Sequence, residues 1–253
     1  TDLYLCKACS LVQLKQNVSA KVLFKNYFYF SSYSDTMLAS ARDISQKMIQ
    51  DKGLKEDSLV VELASNDGYL LQYYVAKNIP VLGIDPAENI AAVANQKGVR
   101  TLSEFFSKEL AETLVSQNKQ ADIIHANNVL AHVPALRNFV EGIKVLLKPT
   151  GTAVIEVPYV VDMIEKNEFD TIYHEHLCYF SLTALDKLFE RAGLKISDVE
   201  KLEIHGGSLR LFITHPNSPQ STRVAALLET EKKIGISTPG YYKAFAETIQ
   251  ELS

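Results

Sequence analysis

Apolar residues recur at helical spacing across residues 35–52, where Met37, Leu38, Ala41, Ile44, Met48 and Ile49 share one face. Ser34 or Asp35 caps this predicted helix and Gly53 ends it. Beyond it the period changes repeatedly. Short, β-branched apolar runs at 59–63, 81–85, 122–126 and 152–157 read as strands, each bounded by polar or Gly/Pro residues. A shorter run at 99–102 reads as another. Helical stretches at 69–77, 87–96, 108–117 and 135–147 lie between them. This alternation predicts an α/β fold, a doubly wound and mostly parallel sheet with helices on both faces.

The last part departs from the alternation. A helix over 182–192 ends at Gly193, and strands over 194–204 and 208–215 follow. Their link, His205-Gly206-Gly207, is short enough to predict a hairpin, hence an antiparallel last strand. A parallel sheet closed in this way is the Rossmann-like architecture of class I S-adenosylmethionine (SAM) methyltransferases, by analogy of fold alone. Three segments are expected. Residues 1–33 hold Cys6-x-x-Cys9 and an aromatic, Ser-rich stretch, residues 34–216 form the α/β domain, and residues 217–253 begin a helical region. Thr1 at the start and a helical pattern running to Ser253 suggest a piece of a longer chain.

The 253 residues are 47% hydrophobic and 22% charged, which suits one domain with a sizeable core. A net charge of -4 supplies no basic excess for nucleic acid or an anionic membrane surface. No apolar run is long enough to span a bilayer, and the first residues do not read as a signal peptide. Three cysteines do not imply a disulfide framework, so a cytoplasmic setting is expected.

In a doubly wound sheet the ligand lies beyond the carboxyl ends of the strands. The first strand leads into Glu62-Leu63-Ala64-Ser65-Asn66-Asp67-Gly68-Tyr69, and the second ends in Gly83-Ile84-Asp85-Pro86. An acidic residue there can accept ribose hydroxyls. A dinucleotide would require G-x-G-x-x-G for close approach to its pyrophosphate, but Ala64 and Asn66 stand where glycines are needed. SAM carries no phosphate, its cationic end tolerates Glu62 and Asp67, and Asn66 accepts a left-handed backbone. SAM is therefore the expected cofactor. A single acidic strand end more often only caps a helix; the pair, with the turn between, points to a site.

The sharpest local signal is Asp170-Thr-Ile-Tyr173-His174-Glu175-His176-Leu-Cys-Tyr179-Phe180-Ser181. Three readings compete: a His-x-His metal site without further ligands of suitable spacing, a polar loop packed over the sheet, and acid–base catalysis. The third is preferred, because a histidine near neutral pKa takes a proton while a tyrosine or second histidine holds an oxyanion.

Four segments carry a specific resemblance: 59–69 (E-x-x-S-N-D-G-Y), 125–134, 170–181 (Y-H-E-H-x-x-Y-F-S) and 204–212 (H-G-G-S-L-R). They resemble the sugar-nucleotide C-methyltransferases of deoxysugar biosynthesis. The resemblance implies methylation of the carbon beside the keto group of a nucleotide-linked 4-keto-deoxysugar, with no nucleic acid or membrane partner. It implies His176 as the base, with Tyr173, His132 and Glu175 stabilising the enolate or orienting the base, and Tyr27 approaching the same site. Glu62, Ser65, Asn66, Gly68, Asp85 and Asn127 would contact SAM, and Ser208 and Arg210 the sugar or its phosphates. The family carries a structural zinc held by two Cys-x-x-Cys pairs; Cys6 and Cys9 supply only one. Two alternatives stay open: O- or N-methylation of another small molecule, and a SAM-binding piece without catalysis.

Overall fold

A computed structural model describes residues 2–15, 19, 23–24 and 28–252. One seven-stranded sheet has the order β5-β4-β3-β6-β7-β10-β9. Its strands are β3 (Val60–Leu63), β4 (Val81–Ile84), β5 (Thr101–Leu102), β6 (Ala121–Asn127), β7 (Leu147–Pro158), β9 (Lys195–Leu202) and β10 (Ser208–Thr214). β3 pairs in parallel with β4 and β6, and β4 with β5, whereas β9 and β10 are antiparallel. The predicted doubly wound, mostly parallel sheet with an antiparallel last strand is thus the fold observed. All four residues of β3 are buried, as expected of a central strand covered on both faces.

The chain divides into two compact units: Ser19–Asn127 with Asn138–Val154, and Thr1–Val18 with Asn128–Arg137 and Ile155–Ser253. In the first, the helix Asp35–Lys52 has the predicted ends. The Ser34 hydroxyl accepts from the Met37 N–H, and Gly53 closes the helix in the left-handed conformation. Ala41, Ile44 and Met48, spaced by three and four, are its buried apolar face. The helix expected over 69–77 is shorter, Gln72–Val75, because residues 64–71 are used in the turn that leaves β3.

In the second unit, β1 (Leu3–Leu5) and β2 (Val12–Leu14) form a small sheet with β8 (Cys178–Tyr179). β2 is thus hydrogen-bonded to the strand that follows the Y-H-E-H string. The helical end expected within 217–253 forms two helices, Thr222–Ile234 and Pro239–Leu252. No helix among the described residues is long and apolar enough to cross a membrane.

Glu231 ties two helices of this unit together. Its buried carboxylate accepts from the N–H groups of Leu182 and Thr183, at 2.6 and 2.7 Å, and from the Thr183 hydroxyl at 2.6 Å. These donors open the helix Leu182–Arg191, where amides lack intrahelical partners and favour negative charge. Glu231→Ala is expected to cost about 1–3 kcal/mol, the penalty of leaving such donors unmet, read from urea unfolding.

Candidate active site

The turn after β3 is built from left-handed residues. Ala64, Asn66 and Gly68 have φ of 55°, 48° and 81°. Two of these are the positions where a dinucleotide fold would place glycine; here Asn66 and Ala64 adopt the conformation at some strain. Gly68 has no alternative, since a Cβ there would lie 2.9 Å from Val99. Asp85, at the end of β4, closes the turn. Its Oδ2 accepts from the Asn66 N–H and its Oδ1 from the Ala87 N–H, both at 2.9 Å. Burial pushes the Asp85 carboxyl above its usual range, and these two amides oppose the push. Each oxygen keeps a lone pair for a ribose hydroxyl.

Glu62 is buried on β3, level with Gly83 on β4 and His125 on β6. His125 Nε2 lies 2.8 Å from the Tyr74 hydroxyl, deep in this unit. Burial raises the Tyr74 phenol, and the Glu62 charge raises it further, so Tyr74 stays protonated. Gly83 was not singled out from the sequence, yet it shapes this wall: a Cβ there would lie 2.5 Å from both Ser65 Oγ and Thr101 Oγ1. Ser65 Oγ and Asn127 Oδ1 are buried with no hydrogen-bond partner among the described residues, and Asn127 Nδ2 donates to the Tyr69 hydroxyl at 3.4 Å. Buried polar atoms of this kind ask for a ligand or water. A left-handed turn, two acidic strand ends and unmet polar atoms fit SAM.

In the other unit, His132, Tyr173 and His176 form a cluster. Ring centroids of His132 and His176 are 5.0 Å apart, and those of Tyr173 and His176 4.4 Å. His176 Nδ1 lies 2.9 Å from the Thr171 carbonyl oxygen, and His132 Nδ1 2.9 Å from that of Glu175. A carbonyl only accepts, so His176 Nδ1 carries the proton and its Nε2 keeps a lone pair, whereas the His132 ring is hydrogen-bonded to the backbone of both Glu175 and Asn128. The Tyr173 hydroxyl, 3.2 Å from His176 Nε2, donates to it. Burial lowers the His176 pKa, against the Thr171 carbonyl and the Glu175 charge. Burial, then His176, push His132 down to about 4. Burial and Glu175 raise the Tyr173 phenol. At neutral pH the cluster therefore holds two uncharged imidazoles and a protonated phenol. Tyr27 lies outside the described residues.

Arg210 and Ser208, expected to hold the sugar or its phosphates, both have partners within the protein. Arg210 Nε is 2.7 Å from Glu156 Oε1, and its Nη1 is 3.5 Å from Glu200 Oε2. Two carboxylates already match its charge, which leaves little for a substrate phosphate. Ser208 is buried and donates to the Ile204 carbonyl. The glycines before it have φ of 77° and 132°, and a Cβ on Gly207 would lie 2.2 Å from Asp162 Oδ2. Cys6 and Cys9 lie in the turn between β1 and β2, where the Cys6 N–H donates to Leu11 and its carbonyl accepts from Ser10. Hydrogen bonds from Cys9 lower the Cys6 thiol pKa. Two thiols are half a tetrahedral zinc site, and no group of three or more metal-ligating residues occurs among the described residues. The residues present do not complete the zinc site.

Residues 35–199 match a family model described as a methyltransferase domain, and residues 203–253 one described as a C-methyltransferase C-terminal domain. The chain is 35% identical over 247 residues to the C-methyltransferase NovU of Streptomyces niveus. That match covers 97% of this chain and 59% of NovU, so the chain spans about three fifths of that relative. Among solved structures it is similar to the magnesium protoporphyrin IX methyltransferase of Synechocystis PCC 6803 with bound SAH. The TM-score is 0.54 at 14% identity, over 70% of this chain and 83% of that one. It is also similar to the PH0226 protein of Pyrococcus horikoshii OT3, with a TM-score of 0.58 at 14% identity, over 74% of this chain and 94% of that one. At such identities the structural likeness shows the fold alone. The methyltransferase-domain match extends over well more than half of the residues, and on that ground the chain belongs to the methyltransferase family.

Proposed function

We propose that the protein transfers the methyl group of SAM to the carbon beside the keto group of a nucleotide-linked 4-keto-deoxysugar. The observation that carries this reading is the state of His176: its Nδ1 proton is held by a backbone carbonyl and its Nε2 is unprotonated beside a phenol. That is a base with an acid at its side. C–H bonds beside a ketone are acidic enough for such a base when a donor meets the developing oxyanion.

His176 Nε2 takes the proton from the carbon, and the C–H electron pair moves into the enolate. The Tyr173 hydroxyl turns its proton from Nε2 to the enolate oxygen. His132 packs against the His176 imidazole and orients it, and Glu175 supports the charge that appears on His176. Glu62, Asp85 and Asn127 bind the cofactor, with Ser65 and Gly68 shaping its turn. When bound, SAM supplies an electrophilic methyl whose bond to sulfur breaks as the enolate carbon attacks, leaving a neutral thioether. Holding the two reactants in line contributes up to about 7–11 kcal/mol of barrier lowering. The substrate class comes from the Y-H-E-H and H-G-G-S-L-R strings and from the likeness to a C-methyltransferase.

The test is incubation with SAM carrying a 13C methyl and a 4-keto nucleotide sugar, followed by NMR in deuterated water. The expected product has the label on the carbon beside the ketone, and sugar recovered before methyl transfer carries deuterium at that carbon. A label on oxygen or nitrogen, or a sugar recovered with no exchange and no label, overturns the reading.

A further inference from the structure

Asn66 and Asp67 have more hydrogen bonds than a cofactor turn requires, and the surplus runs to residues 29–32. Asn66 Oδ1 accepts from the Ser31 N–H at 2.9 Å, and Asn66 Nδ2 donates to the Tyr29 carbonyl at 3.0 Å. Asp67 Oδ1 accepts from the Ser32 N–H at 3.3 Å, and its Oδ2 from the Ser32 hydroxyl. The Lys97 ammonium reaches the same Oδ2 at 2.7 Å and Ser32 Oγ at 3.4 Å. The Asp67 side chain is 0% exposed, so these partners take the place of water around its oxygens. Apolar burial does little to hold the segment: Phe28 and Tyr33, at its two ends, are 88% and 83% exposed. The polar clamp holds it.

Asn66 is the junction. Its N–H fixes Asp85, its left-handed backbone shapes the turn, and both ends of its amide grip the segment. We propose that Asn66, Asp67 and Ser32 are positioning residues that couple residues 29–32 to the cofactor turn, so that cofactor binding and the order of this segment rise together. The proposal rests on the turn being the SAM cradle. Whatever fixes Asn66 in its bound geometry also fixes the acceptor that Ser31 needs, and linkage makes the effect mutual.

The experiment uses the whole chain and S-adenosylhomocysteine as the probe. Hydrogen exchange is followed at residues 28–34, and affinity by calorimetry. Saturating probe is expected to slow exchange at 28–34. Ser32→Ala, which leaves the turn's own residues intact, is expected to weaken the probe about 3–10-fold, a part of the worth of one hydrogen bond to a charged group. Its melting temperature falls by a few degrees at most, and Ser32→Thr, which keeps the hydroxyl, restores the affinity. Lys97→Gln weakens binding in the same direction. A probe that binds while exchange at 28–34 is unchanged, or a Ser32→Ala variant with wild-type affinity, overturns the coupling and leaves the cofactor reading intact. A wild-type chain that does not bind the probe overturns both.

Discussion

His176→Asn is expected to slow exchange of the proton beside the keto group by about 10²–10⁴-fold, the usual contribution of a positioned base. Binding of S-adenosylhomocysteine should not change, because no cofactor residue is touched. Asn fills similar space and can still donate to the Thr171 carbonyl, but it cannot accept a proton near neutral pH. Exchange at the wild-type rate in this variant takes the role from His176. The pH profile separates the two histidines. The neutral imidazole is the active form, so the rate falls as pH drops through the pKa of the base. Burial lowers the His176 pKa, so its acid limb lies below the ordinary histidine value of about 6.5. His132 is pushed further, to about 4. An acid limb near that lower value, kept in His176→Asn and lost in His132→Asn, gives the proton transfer to His132 instead.

The parallel half of the sheet was legible because its strands are short and buried on both faces, and the residues between them return to helical period. Val60–Leu63 and Ala121–Asn127 carry that signal almost alone. The turn was legible through Asn66, a residue type that tolerates the left-handed backbone; Ala64, equally left-handed, gives no such hint. β7 begins five residues earlier than its apolar run, since Lys148-Pro149-Thr150-Gly151 reads as a break and yet continues the strand. β8 is two residues long inside the Y-H-E-H-x-x-Y string, too short for any period to show. Its pairing with β2 joins residues more than 160 positions apart. The chemistry of the histidine cluster was legible as composition but not as protonation. The groups that fix both imidazoles are backbone carbonyls at Thr171 and Glu175, which any side chain would supply. Lys97 was invisible for a related reason: nothing near it in sequence says that it lies beside Asp67.

Arg210 is where stability and substrate binding give opposite expectations, so its replacement is informative. Arg210 and Glu156 are 8% and 2% exposed, with their charged groups 2.7 Å apart. Arg210→Ala leaves the Glu156 carboxylate buried without its main cation. Breaking a buried pair from one side costs about 3–5 kcal/mol. For a chain of this size each kcal/mol lowers the melting temperature by about 2–4 °C, so a fall of roughly 10 °C is expected. Pairing Arg210→Met with Glu156→Gln should recover much of it, because the lone buried charge is then gone. A guanidinium that held a substrate phosphate would behave otherwise. Its loss would leave the melt nearly unchanged and raise KM, and removing Glu156 would free it for the phosphate. The two carboxylates around Arg210 favour the first outcome: with its charge already matched inside the protein, the residue secures β10 against β7 in the unit that carries the histidines.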